Sequence, residues 1–280
     1  MTEPLRLRLG YAVGALVAWL GYRLLGLRRE VIRGNLRRSF PDWDDATVGR
    51  VEREFARRQG ELVGETLYET AMDEAEVRAR MVVRNPALLE RSPDGRPLVL
   101  VGAHHGNFEW MLQRMAVEYP GAFIGLYKPG RNPRVDAWLN RRRARFGARL
   151  VPAKSVLREL ATFRAAAAVG LIADQVPRTS PEKHWCTFLN QDTAFFMGPE
   201  LLGRALRTRV VMVRMHRVAR GRYELECVPL CEAGEKLPTG EITARYARAL
   251  EDWIRGDPAG WWWSHRRWKL TRDLYAGGDA

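Results

Sequence analysis

The densest grouping of chemically capable side chains in the sequence is His104-His105-Gly106-Asn107-Phe108-Glu109-Trp110. Histidine is the usual general base near neutral pH. A carboxylate that reaches its imidazole fixes the tautomer and stabilises the imidazolium formed when a proton is taken up. Gly106 allows a tight turn, and a helix starting soon after it returns Glu109 in its first turn, near enough to hydrogen-bond the ring of His104. Such a dyad has no nucleophile of its own. The sequence has no G-x-S-x-G elbow, and none of Cys186, Cys227 and Cys231 lies nearby, so the hydroxyl that His104 would activate belongs to a substrate. Two adjacent histidines and one acid make a poor ligand set, and no metal is expected. His184 and His216 have no acid at a persuasive spacing and read as structural or exposed.

Positioning the pair requires a strand that ends just before it and a helix that begins just after. The turn cluster Ser92-Pro93-Asp94-Gly95-Arg96-Pro97 leads into the continuous apolar run 98–103, the pattern of a buried strand. Further strands are predicted at 122–126, 167–173, 210–215 and 223–228. Helices are predicted at 44–72, starting at Asp44 or Asp45, and at 110–118, 135–145, 155–163, 199–206 and 241–255. Strands alternating with helices predict an α/β fold: a central, mostly parallel sheet flanked by helices. Sites in such sheets form at the carboxyl edge. Asp174-Gln175 follows the strand at 167–173 and falls at the edge where His104 should be, either as a site pair or as simple turn chemistry. The loop Tyr127 to Pro133 offers Arg131 to a phosphate. The run Arg141, Arg142, Arg143 and Arg145 reads as a solvated helix face or as a dock for an acidic carrier or a lipid phosphate.

The whole chain has 280 residues, 46% of them hydrophobic, and 46 Lys+Arg against 33 Asp+Glu give a net charge of +13. That composition excludes a disordered chain and calls for an anionic partner: nucleic acid, lipid headgroups, or an acidic protein or substrate. Three cysteines without paired spacing indicate neither a disulfide framework nor a zinc site. Residues 9–22 carry no charge, are extended by Leu24, Leu25 and Leu27, and run into Arg28, Arg29, Arg33, Arg37 and Arg38 without a small-x-small cleavage site. The stretch is marginal against the ~20 apolar residues of a bilayer span. A membrane-associating helix over 1–27, followed by a single α/β domain over 28–280, is the expected organisation; a short span, a helix in the headgroup plane and a buried core helix all fit the apolar stretch.

The string His104-x-Gly106-Asn107-Phe108-Glu109 resembles the histidine-four-residues-acid motif of the bacterial late lipid A (lauroyl/myristoyl) acyltransferases, relatives of the phosphatidylinositol mannoside acyltransferases. Three further segments resemble the same family in the same order: Arg33-x-Asn35-Leu36 with Phe40-Pro41, Ala173-Asp174-Gln175, and Pro258 through the tail Trp261-Trp262-Trp263-Ser264-His265-Arg266-Arg267-Trp268-Lys269. The resemblance implies a glycerolipid-acyltransferase-like fold. It also implies transfer of a fatty acyl chain from a thioester, usually on acyl carrier protein, to a hydroxyl of a lipid A precursor or related glycolipid at the cytoplasmic face of the inner membrane, as a step of lipopolysaccharide biosynthesis. Carried over, His104 is the general base and Glu109 its orienting partner. Gly106, Asn107, Arg131, Asn132, Asp174 and Gln175 are the expected substrate contacts, with backbone N–H groups around Gly106 or an arginine serving the oxyanion. No cofactor is implied beyond acyl-acyl carrier protein as co-substrate, and the partners are acyl carrier protein, anionic membrane lipids and the glycolipid acceptor, not nucleic acid. The four tryptophans of the tail read as an interfacial belt or as core. An aminolipid, another glycolipid or a pigment conjugate stands as an alternative acceptor. Outside the class stand an acyl-thioester hydrolase using the same dyad on water and an arginine-rich nucleic-acid-binding protein, although no zinc-finger, RNP or helix-turn-helix signature is present.

Overall fold

The computed structural model describes residues 3–91, 94–130, 132–177 and 182–270. Arg131 and the first two residues of the expected turn cluster, Ser92 and Pro93, lie outside them. Among the described residues the strands are β1 (Met81–Val83), β2 (Leu98–Gly102), β3 (Phe123–Tyr127), β4 (Arg149–Pro152), β5 (Ala168–Ile172), β6 (Lys183–Phe188), β7 (Gln191–Phe196), β8 (Val210–Ala219) and β9 (Arg222–Cys231). The helices are α1 (Leu5–Ala18), α2 (Arg29–Ser39), α3 (Asp45–Tyr68), α4 (Glu74–Arg80), α5 (Phe108–Glu118), α6 (Pro133–Arg143), α7 (Leu160–Ala165), α8 (Gly198–Leu206) and α9 (Glu241–Gly256).

β2 carries a continuous apolar run because it lies in the middle of the sheet and is buried along its whole length. The seven-stranded sheet has the order β1-β9-β8-β2-β5-β3-β4. Every pairing in it is parallel except the β8/β9 hairpin, so the fold is the expected α/β type with a mostly parallel sheet. β6 and β7 form a separate antiparallel hairpin turned by Leu189 and Asn190, both at positive φ. Neither residue is glycine, so the usual hairpin signal was missing from the sequence. The short edge strands β1 and β4 were also not anticipated. The helix expected at 155–163 is instead a run of tight turns over Ala153–Glu159 followed by α7. Asp44 caps α3, accepting the Thr47 backbone N–H at 2.8 Å, as its position before the apolar pattern predicts.

α1 packs along α3 through its small residues. A Cβ placed on Gly14 would lie 1.9 Å from the carbonyl oxygen of Gly60, so only glycine permits this approach of the two backbones. The opposite side of α1 and its continuation stays exposed and apolar, with Leu9, Val13, Leu16, Val17, Trp19, Leu20 and Leu24 open to the surroundings. Among the described residues no single helix is long and apolar enough to cross a membrane; the segment Leu5–Leu24 meets α2 at a bend of 82°.

Candidate active site

β2 and β5 are adjacent and parallel, with Gly102 opposite Ile172. The residues two places beyond each, His104 and Asp174, therefore leave the same edge of the sheet side by side. His104 Nδ1 lies 2.7 Å from Asp174 Oδ1. The other carboxylate oxygen accepts the His104 backbone N–H at 3.1 Å and the indole N–H of Trp261 at 2.8 Å. Asp174 is 2% exposed. Burial by itself would raise its carboxyl, but the adjacent imidazole and these N–H donors outweigh burial and hold it below the ordinary aspartate value. An ionised carboxylate only accepts hydrogen bonds, so the ring proton sits on Nδ1 and the lone pair on Nε2. Nε2 faces the amide of exposed Gln175 at 3.3 Å. The ring is held edge-on between Phe108 and Trp262, at centroid distances of 4.8 and 5.9 Å.

This corrects the assignment of Glu109 as the acid that hydrogen-bonds the imidazole. Both Glu109 oxygens are taken by the Arg143 guanidinium of α6, at 2.8 and 2.5 Å. The reason is helical geometry: Phe108 is the first residue of α5 and turns its ring toward His104, and the next residue points about 100° further round the axis, toward α6. Asp174 bonds the imidazole instead, and the sequence signal for that pairing was the matching offset of Ala103-His104 and Ala173-Asp174 from two apolar strands. Trp261 and Arg143, which bond Asp174 and Glu109, were not singled out individually in the sequence.

The turn between β2 and α5, which holds Gly106 and Asn107, has structural work of its own. Gly106 has φ +65° and donates its N–H to the Gly260 carbonyl at 3.0 Å. Asn107 is 2% exposed. Its carbonyl oxygen caps α5 at the Trp110 N–H, its amide donates to Glu65 at 2.6 Å, and its backbone N–H meets Met215 Sδ. The N–H groups at Gly106 and Asn107 are therefore already bonded, not free for an oxyanion. Glu65 is itself fully buried and accepts from Tyr11, Tyr223 and Asn107; burial raises its carboxyl. His105 stacks on Trp253 at 4.2 Å and shares a hydrogen bond with the Asp257 carbonyl at 2.9 Å. Burial lowers its imidazole to about 4, so it is neutral and structural.

Asn132 caps α6, accepting the Arg134 N–H at 3.0 Å, while its expected companion Arg131 falls outside the described residues. Arg142, Arg143 and Arg145 are not a solvated face. Arg142 bonds Glu69 and the Thr66 carbonyl, Arg143 bonds Glu109, and Arg145 bonds the Glu69 carbonyl, so three of the four arginines of that run pin α6 and the turn after it against α3 and α5. The tail is largely core: Trp261 and Trp263 are 3% and 0% exposed, and Trp268 donates to the Thr193 hydroxyl at 2.8 Å. Arg267 is buried with it, donates to the Ala194 carbonyl, and is pulled down to about 10 by burial. Trp262 alone of the four flanks the His104 ring. Among the described residues no group of three or more His, Cys, Asp or Glu is placed to hold a metal ion.

The arrangement is an imidazole whose Nε2 faces a solvent-reachable edge, backed by a buried carboxylate and flanked by aromatic rings. It can take a proton from a hydroxyl and give it back to a leaving group. A family model, bacterial lipid A biosynthesis acyltransferase, matches residues 1–270. No curated protein matches the chain.

Proposed function

The chain belongs to the bacterial lipid A biosynthesis acyltransferase family and is an acyltransferase of non-aminoacyl groups, and on that premise we propose that it moves a fatty acyl chain from an acyl thioester, carried by acyl carrier protein, to a hydroxyl of a lipid A precursor or related glycolipid at the cytoplasmic face of the inner membrane. The observation that carries the chemistry is the 2.7 Å contact between His104 Nδ1 and Asp174, which leaves Nε2 as the base. The acceptor hydroxyl displaces the Gln175 amide from Nε2 and gives up its proton as its oxygen bonds to the thioester carbonyl carbon. The tetrahedral intermediate collapses with cleavage of the C–S bond, and the imidazolium returns the proton to the departing thiolate. Asp174 stays ionised and stabilises the imidazolium in between. The oxyanion is served by the first turn of α5, where the N–H groups of Phe108 and Glu109 have no intrahelical partner. Glu109 and Arg143 fix that turn against α6. The positive charge of the chain and the exposed apolar side of α1 support contact with anionic membrane lipid and an acidic carrier.

The test is product analysis by mass spectrometry after incubating the protein with acyl-acyl carrier protein and a bacterial membrane lipid extract. The expected result is a lipid whose mass rises by one acyl group with wild type and not with His104→Ala. Free fatty acid in place of an acylated lipid would assign a hydrolase; acylation of an aminolipid or a pigment conjugate would move the acceptor without moving the reaction.

A further inference from the structure

A cavity of about 500 Å³ lies between the C-terminal half of α1 with its continuation, the start of α2 and the middle of α3. That is within the size range of small-molecule sites. It contains none of the residues placed around His104. Its wall is aromatic and small on one side, with Trp19, Tyr22, Ala15 and Ala56, and strongly cationic on the other. Six arginines line it against two glutamates, a formal balance of 6 − 2 = +4. The glutamates do not neutralise it: Glu52 is shared between Arg29 and Arg33, and Glu61 between Arg57 and Arg217. Among the described residues Arg23 and Arg53 form no hydrogen bond or ion pair, although both line the cavity. Two unmatched guanidiniums at one cavity are poised for an anion with oxygens in a plane or tripod, the geometry of a phosphate.

The position of the cavity specifies the source of that phosphate. Leu16, Leu20 and Leu24, next round the same helical segment from the lining residues Ala15, Trp19 and Arg23, are exposed and apolar. Trp19, half exposed, stands between the apolar side and the arginines, where an indole sits at headgroup level. A molecule with a phosphate in the cavity would continue as hydrocarbon along α1. We propose that this cavity binds the phosphate headgroup of an anionic phospholipid of the bilayer, a lipid that is not the acyl acceptor, and thereby seats α1 and α3 on the membrane. The proposal rests on the membrane contact invoked in the proposed function but not on its chemistry.

Flotation of the full-length protein with phosphatidylcholine vesicles, with and without phosphatidylglycerol, tests it. Wild type should bind the phosphatidylglycerol vesicles preferentially. Arg23→Gln/Arg53→Gln should lose about 30-fold in affinity for them, from roughly one surface charge interaction per arginine. Ala56→Phe fills the cavity without altering charge and should lose the same preference. Arg91→Gln/Arg164→Gln, an equal charge change at exposed positions outside the cavity, should keep it. The proposal is overturned if the cavity double variant and Ala56→Phe both bind like wild type, or if the control pair loses as much as the cavity pair. It is also overturned if millimolar inorganic phosphate at matched ionic strength displaces the vesicles, which would make the cavity a site for free anions. Acyl transfer is not part of this readout, so its outcome is separate from that of the proposed reaction.

Discussion

Replacing Asp174 by asparagine changes one oxygen for an NH2 group at the point where three donors converge. One end of the native carboxylate accepts two N–H groups, from Trp261 and the His104 backbone, and the other accepts His104 Nδ1–H. The amide oxygen must stay with the pair of donors, because the flipped amide would turn its NH2 on two buried N–H groups at a cost of about 1–3 kcal/mol each. The NH2 then faces Nδ1, which has to accept, and the ring proton moves to Nε2. His104 is left with a donor where the acceptor hydroxyl needs a lone pair. A tautomer error of this kind costs a serine protease triad about 10⁴ in turnover, or ~5 kcal/mol of barrier, and we expect kcat to fall by about 10³ to 10⁴ with KM altered no more than a few-fold. Steady-state kinetics with acyl-acyl carrier protein measures the loss, and ring-nitrogen NMR of His104 reports the tautomer. Stability follows its own sign: the folded Asp174 carboxyl lies below its unfolded value of 3.8, so its contribution is present above that pH and is lost as pH falls through the folded value. The variant should lack that acid-sensitive part. A folded Asp174→Asn protein that turns over within tenfold of wild type would refute the orienting role of Asp174.

Two other perturbations separate supporting groups from the base. Glu109→Gln weakens the half-buried pair with Arg143 and should lower unfolding free energy by about 1–2 kcal/mol and kcat by roughly tenfold to a hundredfold through the loosened first turn of α5, while the His104 NMR tautomer stays native; chemical denaturation with parallel kinetics checks both. His105 has a folded value of about 4 against an ordinary 6.5, so the unfolded chain binds more protons between these pH values and stability falls on acidification. Between about pH 7 and pH 5 wild type should lose roughly 2 kcal/mol more than His105→Gln, measured by urea unfolding at both; equal losses would show that the buried ring is not the source.

The strands that build the site were legible because a central parallel strand is buried on both faces and leaves an uninterrupted apolar run, as at 98–103 and 167–173. The edge strands β1 and β4 were not, since three or four residues at a margin leave no period to read. The hairpin β6/β7 is hidden for a different reason, because its turn uses Leu189 and Asn190 in a conformation usually marked by glycine. At the site, His104 was singled out by residue type and by strand-end placement, and the structure puts it at that sheet edge. Its acid was sought five residues on because sequence offers local neighbours first. A parallel sheet instead brings together residues at equal offsets from paired strands, and the partner of His104 lies 70 residues away for that reason. The arginines of α6 were misread because a basic run looks the same whether its carboxylate partners are solvent ions or, as here, Glu69 and Glu109 on neighbouring helices.

The four segments that carried the family resemblance are remote in sequence but meet in a single hydrogen-bonded unit, and that contact explains why a tryptophan-rich tail accompanies a histidine motif. Asn35 of α2 donates to the carbonyls of Trp263 and His265, holding the tail in place. The held tail presents the Trp261 indole N–H to Asp174 and the Gly260 carbonyl to the Gly106 N–H, so it touches both the acid and the turn that follow the two central strands. A carboxylate closed over in this way has little water competing for its lone pairs, and its direction is fixed by three donors instead of by solvent. The requirement for a dry, aimed carboxylate behind a part-buried imidazole accounts for the placement of indoles in the core beside the sheet edge, with only Trp262 left facing the base.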